Sequence, residues 1–261
     1  MDIKQRIMHE DDNIVVINKP AGVPTVPGRN LVDPSNIYGA LKKIYGTIFI
    51  VHRLDKDTSG VIIFAKDAAT HRAISMMFDR GEVKKMYVSI LMGRTEKKSG
   101  VIDLPLAPLR KKSGVMTVDE KSGKKAVTRY KVEENFGNCF FAGVFPETGK
   151  THQIRVHFAA IGHPVVGDRV YDRIEAVGEA KRASYEKMKA EGAPAAVKRM
   201  LLHSAVVSFR HPGTRKEESF RAPLPDDFKL TLELLRVKKR FAGERKPLKP
   251  AVRLLKKKGK E

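Results

Sequence analysis

One short polar segment carries side chains that could do chemistry. Residues 52–60 read His-Arg-Leu-Asp-Lys-Asp-Thr-Ser-Gly and lie between the apolar runs 48–51 and 61–64. We expect two buried strands to present this segment as a loop, where binding and catalytic residues are often found. A carboxylate such as Asp55 is well placed there to act on a substrate, although a lone aspartate in a loop more often belongs to a surface turn.

The same segment resembles a calcium-binding loop, but the resemblance fails at one position. Asp55, Asp57, Ser59 and Gly60 match positions 1, 3, 5 and 6 of an EF-hand. Position 12 of such a loop must be a bidentate Glu, and here it is Lys66. Calcium binding is therefore rejected.

Residues 149–157 contain two further motifs that do not meet their spacing requirements. Gly149-Lys150-Thr151 resembles the end of a P-loop, but Val144 stands where that motif requires a glycine. His152 and His157 are five residues apart, whereas two metal ligands on one face of a helix need a spacing of three or four. We therefore expect neither a metal nor a nucleotide cofactor.

The elements that must position these residues predict an α+β fold. Strand-like apolar runs occur at 14–17, 61–65, 86–92, 127–132, 139–145 and 201–209. Helices are expected after the potential N-caps Asp67 and Thr151, and from Pro225 onward. Strands and helices mix without a regular β-α-β alternation, which favours α+β over a doubly wound sheet.

Side-chain periodicity predicts which faces of two elements are buried together. Alternation along 86–92 places Tyr87 on the face opposite Met86, Val88 and Ile90. On the helix after Thr151, one apolar face is expected, made of Ile154, Phe158 and Ile161.

Three polar segments depart from this pattern. Residues 94–126 are rich in Lys, Ser, Gly and Pro and are predicted to form a basic loop or hairpin arm. Residues 172–199 lack an apolar stripe and are expected to be a surface insertion. Residues 236–261 contain twelve Lys and Arg and only two Glu, which is typical of a mobile tail. We therefore expect one main domain over 1–228, followed by a C-terminal helix and basic tail over 229–261.

The overall charge points to a polyanionic partner. The 261 residues include 51 Lys and Arg against 30 Asp and Glu, for a formal charge of +21 and a pI near 10.0. Such a charge attracts nucleic acid first and an anionic membrane second, but the sequence has no long apolar span and no signal peptide. Cys139 is the single cysteine and lies in an apolar run, as a small buried side chain would. Its isolation fits a reducing, cytoplasmic location.

Several spaced motifs stand in one order along residues 10 to 228. They are Lys19-Pro20-Ala21-Gly22, Val26-Pro27-Gly28-Arg29, His52-Arg53-Leu54-Asp55 with Thr58-Ser59-Gly60, Lys85-Met86-Tyr87, residues 148–157, Gly162-His163-Pro164, Gly167-Asp168, Leu202-His203-Ser204, His211-Pro212 and Ala222-Pro223-Leu224-Pro225. Together these motifs resemble those of the RluA-type pseudouridine synthases, whose signatures read KPxG, HRLDxxTSG, KxY and TGRTHQxRVH.

The resemblance implies a fold and a reaction. The fold is a single catalytic domain built on a mixed, largely antiparallel sheet, with helices and loops around a central RNA-binding cleft. The reaction breaks the bond between uracil N1 and ribose C1′ and joins C1′ to C5, so it isomerises uridine without a cofactor. Lys150 departs from the family's usual Arg, and 172–199 is longer than usual. The first motif begins close to Met1, as in the short members that lack an N-terminal S4 module.

The resemblance also implies roles for individual residues. Asp55 would be the catalytic carboxylate, Arg155 would pair with it, and Tyr87 would stack on the flipped uracil and help to remove the C5 proton. Arg53 would enter the RNA and hold the base out. The remaining residues expected to bind the base or the RNA are Leu54, Ile154, His52, Lys19, Arg29 and Lys150.

RNA is therefore the expected partner of a cytoplasmic enzyme that works as a monomer, without a nucleotide cofactor and away from membranes. Family members without the extra module modify 23S rRNA, tRNA or both, and the fit through Val26-Pro27-Gly28-Arg29 favours a stem-loop common to the two. The alternative is a non-catalytic RNA-binding or assembly protein on the same fold, which basic charge alone would favour. The joint presence of Asp55, Tyr87 and Arg155 favours the enzyme.

Overall fold

The computed structural model describes residues 2–27, 35–110, 113–171 and 197–244. Within these ranges lie twelve strands: β1 (Ile7–Glu10), β2 (Ile14–Lys19), β3 (Phe49–Ile50), β4 (Ser59–Ala65), β5 (Lys84–Met92), β6 (Ser99–Asp103), β7 (Leu106–Pro108), β8 (Met116–Val118), β9 (Val127–Asn135), β10 (Cys139–Pro146), β11 (Leu202–Arg210) and β12 (Glu217–Arg221). The helices there are α1 (Ile37–Tyr45), α2 (Ala68–Asp79), α3 (Gln153–Ala160) and α4 (Asp226–Glu244), with a short 3-10 helix at Lys4–Arg6.

Ten of these strands form one mixed sheet. Its order is β1-β2-β4-β11-β5-β10-β9-β6, with β3 beside β4 and β12 beside β11. The described pairings are antiparallel except that of β4 with β11, which is parallel. β7 and β8 form a separate antiparallel hairpin. The prediction of an α+β fold on a largely antiparallel sheet is confirmed.

Helices cover both faces of the sheet. Along β5, Ile90 joins the core cluster that contains Phe228 of α4, while Leu91 joins the cluster that contains Phe158 of α3. Tyr87 packs on the Leu91 side, so the predicted alternation of this strand is confirmed. Nearer the other end of the sheet, β2 divides its side chains in the same way between α2 and α1. None of the described helices is both long and apolar enough to cross a bilayer.

Gly60 allows β4 and β11 to come together next to the polar segment. Its φ is +111°, and a Cβ atom there would lie 2.1 Å from the carbonyl oxygen of Ser204 on β11. Any other residue would clash with this backbone. The glycine therefore fixes the start of β4, just after the loop that holds Asp55.

Two local expectations need correction. Residues 94–126 contain the hairpin of β7 and β8, which agrees with the predicted hairpin arm, but they also contain β6, an edge strand of the main sheet that was not predicted. Only Ile102 of β6 is buried, so its sequence carries almost no strand pattern. The helix expected to be capped by Thr151 instead has His152 at its N-cap, because the chain turns there with a left-handed φ of 54°.

Some elements of the structure were not predicted, and some predicted segments lie outside the described residues. α1, β1 and β12 had no counterpart in the sequence analysis, whereas β3 lies within the run 48–51 that was expected to be a strand. α4 begins where predicted, with Leu232 and Leu235 buried against the sheet. Residues 172–196 of the predicted insertion, residues 245–261 of the tail and Arg29 lie outside the described residues.

Candidate active site

Asp55 lies in the loop between β3 and β4, where hydrogen bonds of the adjacent residues fix its backbone. The hydroxyl of Thr25 donates to the carbonyl of Leu54 (2.9 Å) and accepts the N–H of Leu54 (3.2 Å), and both bonds are buried. The N–H of Thr58 donates to the carbonyl of Asp55 (3.1 Å) and closes the turn. The backbone on both sides of Asp55 is thereby fixed, while its side chain lines a cleft.

Lys19 supports this loop from inside the protein. Its side chain is 0% exposed, and Nζ donates to the carbonyls of Pro20, Val23 and Lys56 at 3.0, 2.7 and 2.9 Å. These contacts make Lys19 a support of the loop, and a contact of Lys19 with RNA stays a prediction. Burial lowers the pKa of Lys19 to about 7.

Arg155, on α3, joins two carboxylates. Its Nη1 donates to Oδ2 of Asp55 at 2.8 Å, while Nε and Nη2 donate to the two oxygens of Asp168 at 2.7 and 2.9 Å. The Asp168 side chain is fully buried and that of Asp55 is 27% exposed. Asp168 therefore fixes the guanidinium, and Asp55 takes its remaining edge while still reaching the cleft.

The surroundings of Arg155 keep it charged. Burial alone would lower its pKa, but hydrogen bonds and charges from Asp168 and Asp55 raise the pKa above the ordinary arginine value. The guanidinium also lies 4.9 Å from the centre of the Tyr171 ring, within the range of a cation–π contact.

His152 approaches Asp55 from a second direction. Its Nε2 is 3.7 Å from Oδ1 of Asp55, and its Nδ1 is 2.8 Å from the hydroxyl of Tyr171. That hydroxyl accepts the backbone N–H of Met116 at 2.8 Å. The two oxygens of Asp55 thus have different neighbours, Arg155 at Oδ2 and His152 near Oδ1.

Apolar and aromatic side chains form the wall of the site. Leu54 and Ile154, each 6% exposed, and Tyr87 line the same cleft as Asp55. Burial raises the pKa of Tyr87 to about 12, and the charge of Asp55 adds to the effect. The Tyr87 hydroxyl is therefore protonated at neutral pH. The structure brings Asp55, Tyr87 and Arg155 together, as the resemblance implied.

The cleft has a volume of about 880 Å³ and a positive rim. Its acidic residues are Asp55, Asp79 and Glu147. Its basic residues are Arg53, Lys56, Arg80, Lys85, Lys150 and Arg155. Arg53 and Lys150 are exposed at this rim, where the sequence analysis expected RNA contacts. An excess of positive side chains around an open cleft suits a phosphate backbone.

His52 lies at the cleft wall but is used internally. Its Nε2 accepts the N–H of Ile63 at 3.1 Å, and its ring stacks on Phe78 with centroids 4.8 Å apart. Burial lowers the pKa of His52 to about 3. These contacts make it a support of the loop that begins at Arg53, and a contact with RNA stays a prediction.

Three residues of the site had no role in the sequence analysis. Asp168 was noted only as part of the Gly167-Asp168 motif, and Thr25 and Tyr171 were not singled out. A buried acidic partner for Arg155 could have been sought among the motif residues, and Asp168 was the candidate. Thr25 and Tyr171 carry no comparable signal, because their partners lie 29 and 19 residues away in the chain.

Comparison with known proteins identifies the family that this geometry serves. Residues 13–160 match the family model described as RNA pseudouridylate synthase. The chain belongs to the RNA pseudouridylate synthase family. It is 36% identical over 218 residues to the dual-specificity RNA pseudouridine synthase RluA of Escherichia coli K12, covering 83% of this chain and 92% of that protein. It is 33% identical to the ribosomal large subunit pseudouridine synthase D of Zymomonas mobilis, covering 92% and 75%.

Solved structures agree with this assignment. Human RNA pseudouridylate synthase domain containing 4 has a TM-score of 0.67 and 28% identity, covering 90% of this chain and 94% of that one. Human RNA pseudouridylate synthase domain containing 1, at 21% identity and a TM-score of 0.65, shows the shared fold.

Membership of the RNA pseudouridylate synthase family makes the chain an enzyme that isomerises uridine to pseudouridine. The alternative prediction of a non-catalytic RNA-binding protein is therefore not supported. Among the described residues, no group of three or more histidine, cysteine or acidic side chains is placed to hold a metal ion.

Proposed function

We propose that this pseudouridine synthase modifies a uridine in a stem-loop of 23S rRNA or tRNA, with Asp55 as the carboxylate that acts on the nucleotide. The printed names of its relatives support the substrate class, since one is a dual-specificity RNA enzyme and another acts on the ribosomal large subunit. The enzyme is proposed to work as a monomer in the cytoplasm. The catalytic domain is proposed to span 1–228.

One observation carries the assignment of Asp55. Its Oδ2 is held by Arg155 at 2.8 Å, whereas the nearest approach of His152 to Oδ1 is 3.7 Å, beyond hydrogen-bond distance. A carboxylate held at one oxygen and open at the other presents a fixed reactive atom to the cleft. Arg155 holds the carboxylate in place through a charged hydrogen bond without covering that atom.

The reaction needs groups for the base as well as for the ribose. The C1′–N1 bond breaks, the C1′–C5 bond forms, C5 loses a proton and N1 gains one. Tyr87 lies in the same cleft and is assigned contact with the uracil. Because its pKa is raised to about 12, the Tyr87 hydroxyl stays protonated and donates a hydrogen bond. A group other than Tyr87 must therefore accept the C5 proton.

The rim of the cleft is assigned to RNA binding. A uridine within a stem-loop must leave its stack to reach Asp55, at a cost of a few kcal/mol. Arg53 is exposed and directly precedes Leu54 in the catalytic loop, so its planar guanidinium can occupy the place of the displaced base. Lys150 is exposed between β10 and α3 and lines the same cleft, and it is assigned a phosphate contact.

Asp55→Asn tests the proposal, with Asp57→Asn as its matched control. Both changes remove one charge from the same loop, but Asp57 is exposed and does not line the cleft. Tritium release from 5-tritiated uridine in a 23S rRNA or tRNA stem-loop should vanish for Asp55→Asn and persist for Asp57→Asn, while both variants bind the RNA. Appreciable release by Asp55→Asn would refute the catalytic assignment. Release from neither RNA by the wild type would refute the substrate.

A further inference from the structure

His152 has a backbone conformation that its residue type rarely adopts. It is the N-cap of α3 with φ 54° and ψ 17°, in the left-handed region. Non-glycine residues are uncommon in this region and stay there when surrounding contacts hold them in place. The conformation directs the imidazole into the space between Tyr171 and Asp55.

The contacts of Tyr171 allow one tautomer of this imidazole to be assigned. The Tyr171 oxygen already accepts the N–H of Met116, so we assign its hydroxyl proton to the bond with Nδ1 of His152. A neutral ring that accepts at Nδ1 carries its own proton on Nε2. That Nε2–H lies 3.7 Å from Oδ1 of Asp55, the oxygen that Arg155 leaves open.

The charges around His152 are nearly balanced. Asp55 and Asp168 favour its protonated form, while Arg155 and Arg53 oppose it. Burial is the largest influence and lowers the pKa of His152 below the ordinary value, so the ring is neutral at neutral pH. Protonation would place a cation beside Oδ1, and a movement of roughly 1 Å would close the gap to a charged hydrogen bond.

Resting on the proposed function of Asp55, we propose that His152 is a positioning residue that controls the open oxygen of this carboxylate. As a neutral ring oriented by Tyr171, it stands beside Oδ1 without a hydrogen bond and limits rotation of the carboxylate, so that Oδ1 stays turned toward the nucleotide. Once protonated, it pairs with Oδ1 and withdraws the carboxylate from the reaction. We therefore expect kcat to fall at acid pH as His152 becomes protonated.

Two variants separate this role from a structural one. His152→Asn removes the titrating ring, and asparagine tolerates the left-handed backbone, so the fold should persist. Tyr171→Phe keeps the ring beneath Arg155 but removes the hydroxyl that donates to Nδ1. His71→Asn is the control, since His71 lies on α2 and does not line the cleft.

The measurement is kcat against pH with saturating RNA. We expect kcat of His152→Asn at neutral pH to fall by about 10-fold or more, because no side chain then holds Oδ1 in its orientation. We also expect the acid limb of the pH profile to move to lower pH. Tyr171→Phe should move the acid limb to higher pH, since a donor that favours the neutral ring is lost. His71→Asn should keep both the rate and the profile of the wild type.

An unchanged kcat in His152→Asn would overturn the proposal. So would a reduced kcat with the wild-type acid limb, which would mean a purely structural role. Nitrogen NMR of the free protein gives a readout that needs no turnover: His152 should carry its proton on Nε2 and titrate at lower pH in Asp55→Asn. A proton on Nδ1 would also refute the proposal. Inactive wild-type enzyme would count against the proposed function, while this titration still decides the role of His152.

Discussion

Asp168 holds the Nε–Nη2 edge of Arg155 through bonds of 2.7 and 2.9 Å and leaves Nη1 for Asp55. The buried Asp168 is thus the residue that orients the guanidinium, and Asp55 receives only the remaining donor. The two carboxylates share one guanidinium, and Asp55 is the more exposed of them. This arrangement gives Asp55 a fixed position and access to the cleft.

Asp168→Asn should therefore reduce turnover although Asp168 does not line the cleft. The asparagine amide has one acceptor oxygen and no negative charge, so it can accept from only one of the two nitrogens that Asp168 now binds. Arg155 and Asp55 would then lose their alignment. We expect kcat to fall by about 10- to 100-fold, with RNA affinity changed far less. Arg155→Lys is the companion variant, because it keeps the charge but cannot hold both carboxylates. Wild-type kcat in Asp168→Asn would contradict this role.

Lys19→Met should lower stability. The change keeps the apolar stem but leaves the carbonyls of Pro20, Val23 and Lys56 without their donor. Buried acceptors left unpaired should cost about 2–3 kcal/mol in the free energy of unfolding, measured by urea denaturation. Lys42→Met on the exposed side of α1 is the control and should change stability little. Equal unfolding midpoints for both variants would contradict the buried role of Lys19.

The sequence predicts the strands with strong apolar runs and misses those without them. The runs at 14–17, 61–65, 86–92 and 139–145 all lie in central strands, whose side chains are buried on both faces. β6 and β12 each bury a single side chain, so no period of two is visible. β3 lies within the predicted run 48–51 but is only two residues long.

The proposed catalytic centre could be predicted only where its residues stand in recognisable motifs. Asp55, Tyr87 and Arg155 stand in three separate motifs, and the structure brings them to one cleft. Lys19 also stands in a motif, but a lysine on a basic protein gives no sign that its ammonium group is buried. Its role depends on three carbonyls whose positions only the folded chain defines.

His52 should make stability depend on acid pH. Its folded pKa, about 3, lies below the ordinary 6.5, so the unfolded chain binds the proton first as pH falls. The stability from neutral His52 is complete above about pH 6.5 and is lost progressively toward pH 3. The steepest possible contribution of one proton is about 1.4 kcal/mol per pH unit.

His52→Gln should flatten this dependence, because the glutamine oxygen can accept the N–H of Ile63 but does not titrate in this range. Urea denaturation between pH 4 and 7 checks the slope, with His71→Gln as a histidine change outside the cleft wall. An identical slope for His52→Gln and the wild type would show that His52 is protonated as readily in the folded as in the unfolded protein.

Besides the rim of the cleft, the sequence indicates a second basic region that could bind RNA, the segment 245–261. It directly follows α4, whose Phe228, Leu232 and Leu235 are buried against the sheet, so a deletion from 245 onward keeps these core contacts. The segment carries eight Lys and Arg and one Glu. Such a charge run is either idle or binds phosphates outside the cleft.

Deleting 245–261 should weaken RNA binding and leave turnover nearly unchanged. Each phosphate contact contributes about −0.7 to the slope of log affinity against log salt on single strands, so the truncated enzyme should show a shallower slope. The control is a chain in which the eight Lys and Arg of this segment are replaced by Gln, which keeps the length and removes the positive charge. Both variants should lose the same part of the slope, while kcat at saturating RNA stays near the wild-type value because Asp55, Tyr87 and Arg155 are intact. Equal affinity and equal slope for all three proteins would show that the segment is idle, and a collapse of saturated kcat would show that it supports the catalytic domain instead.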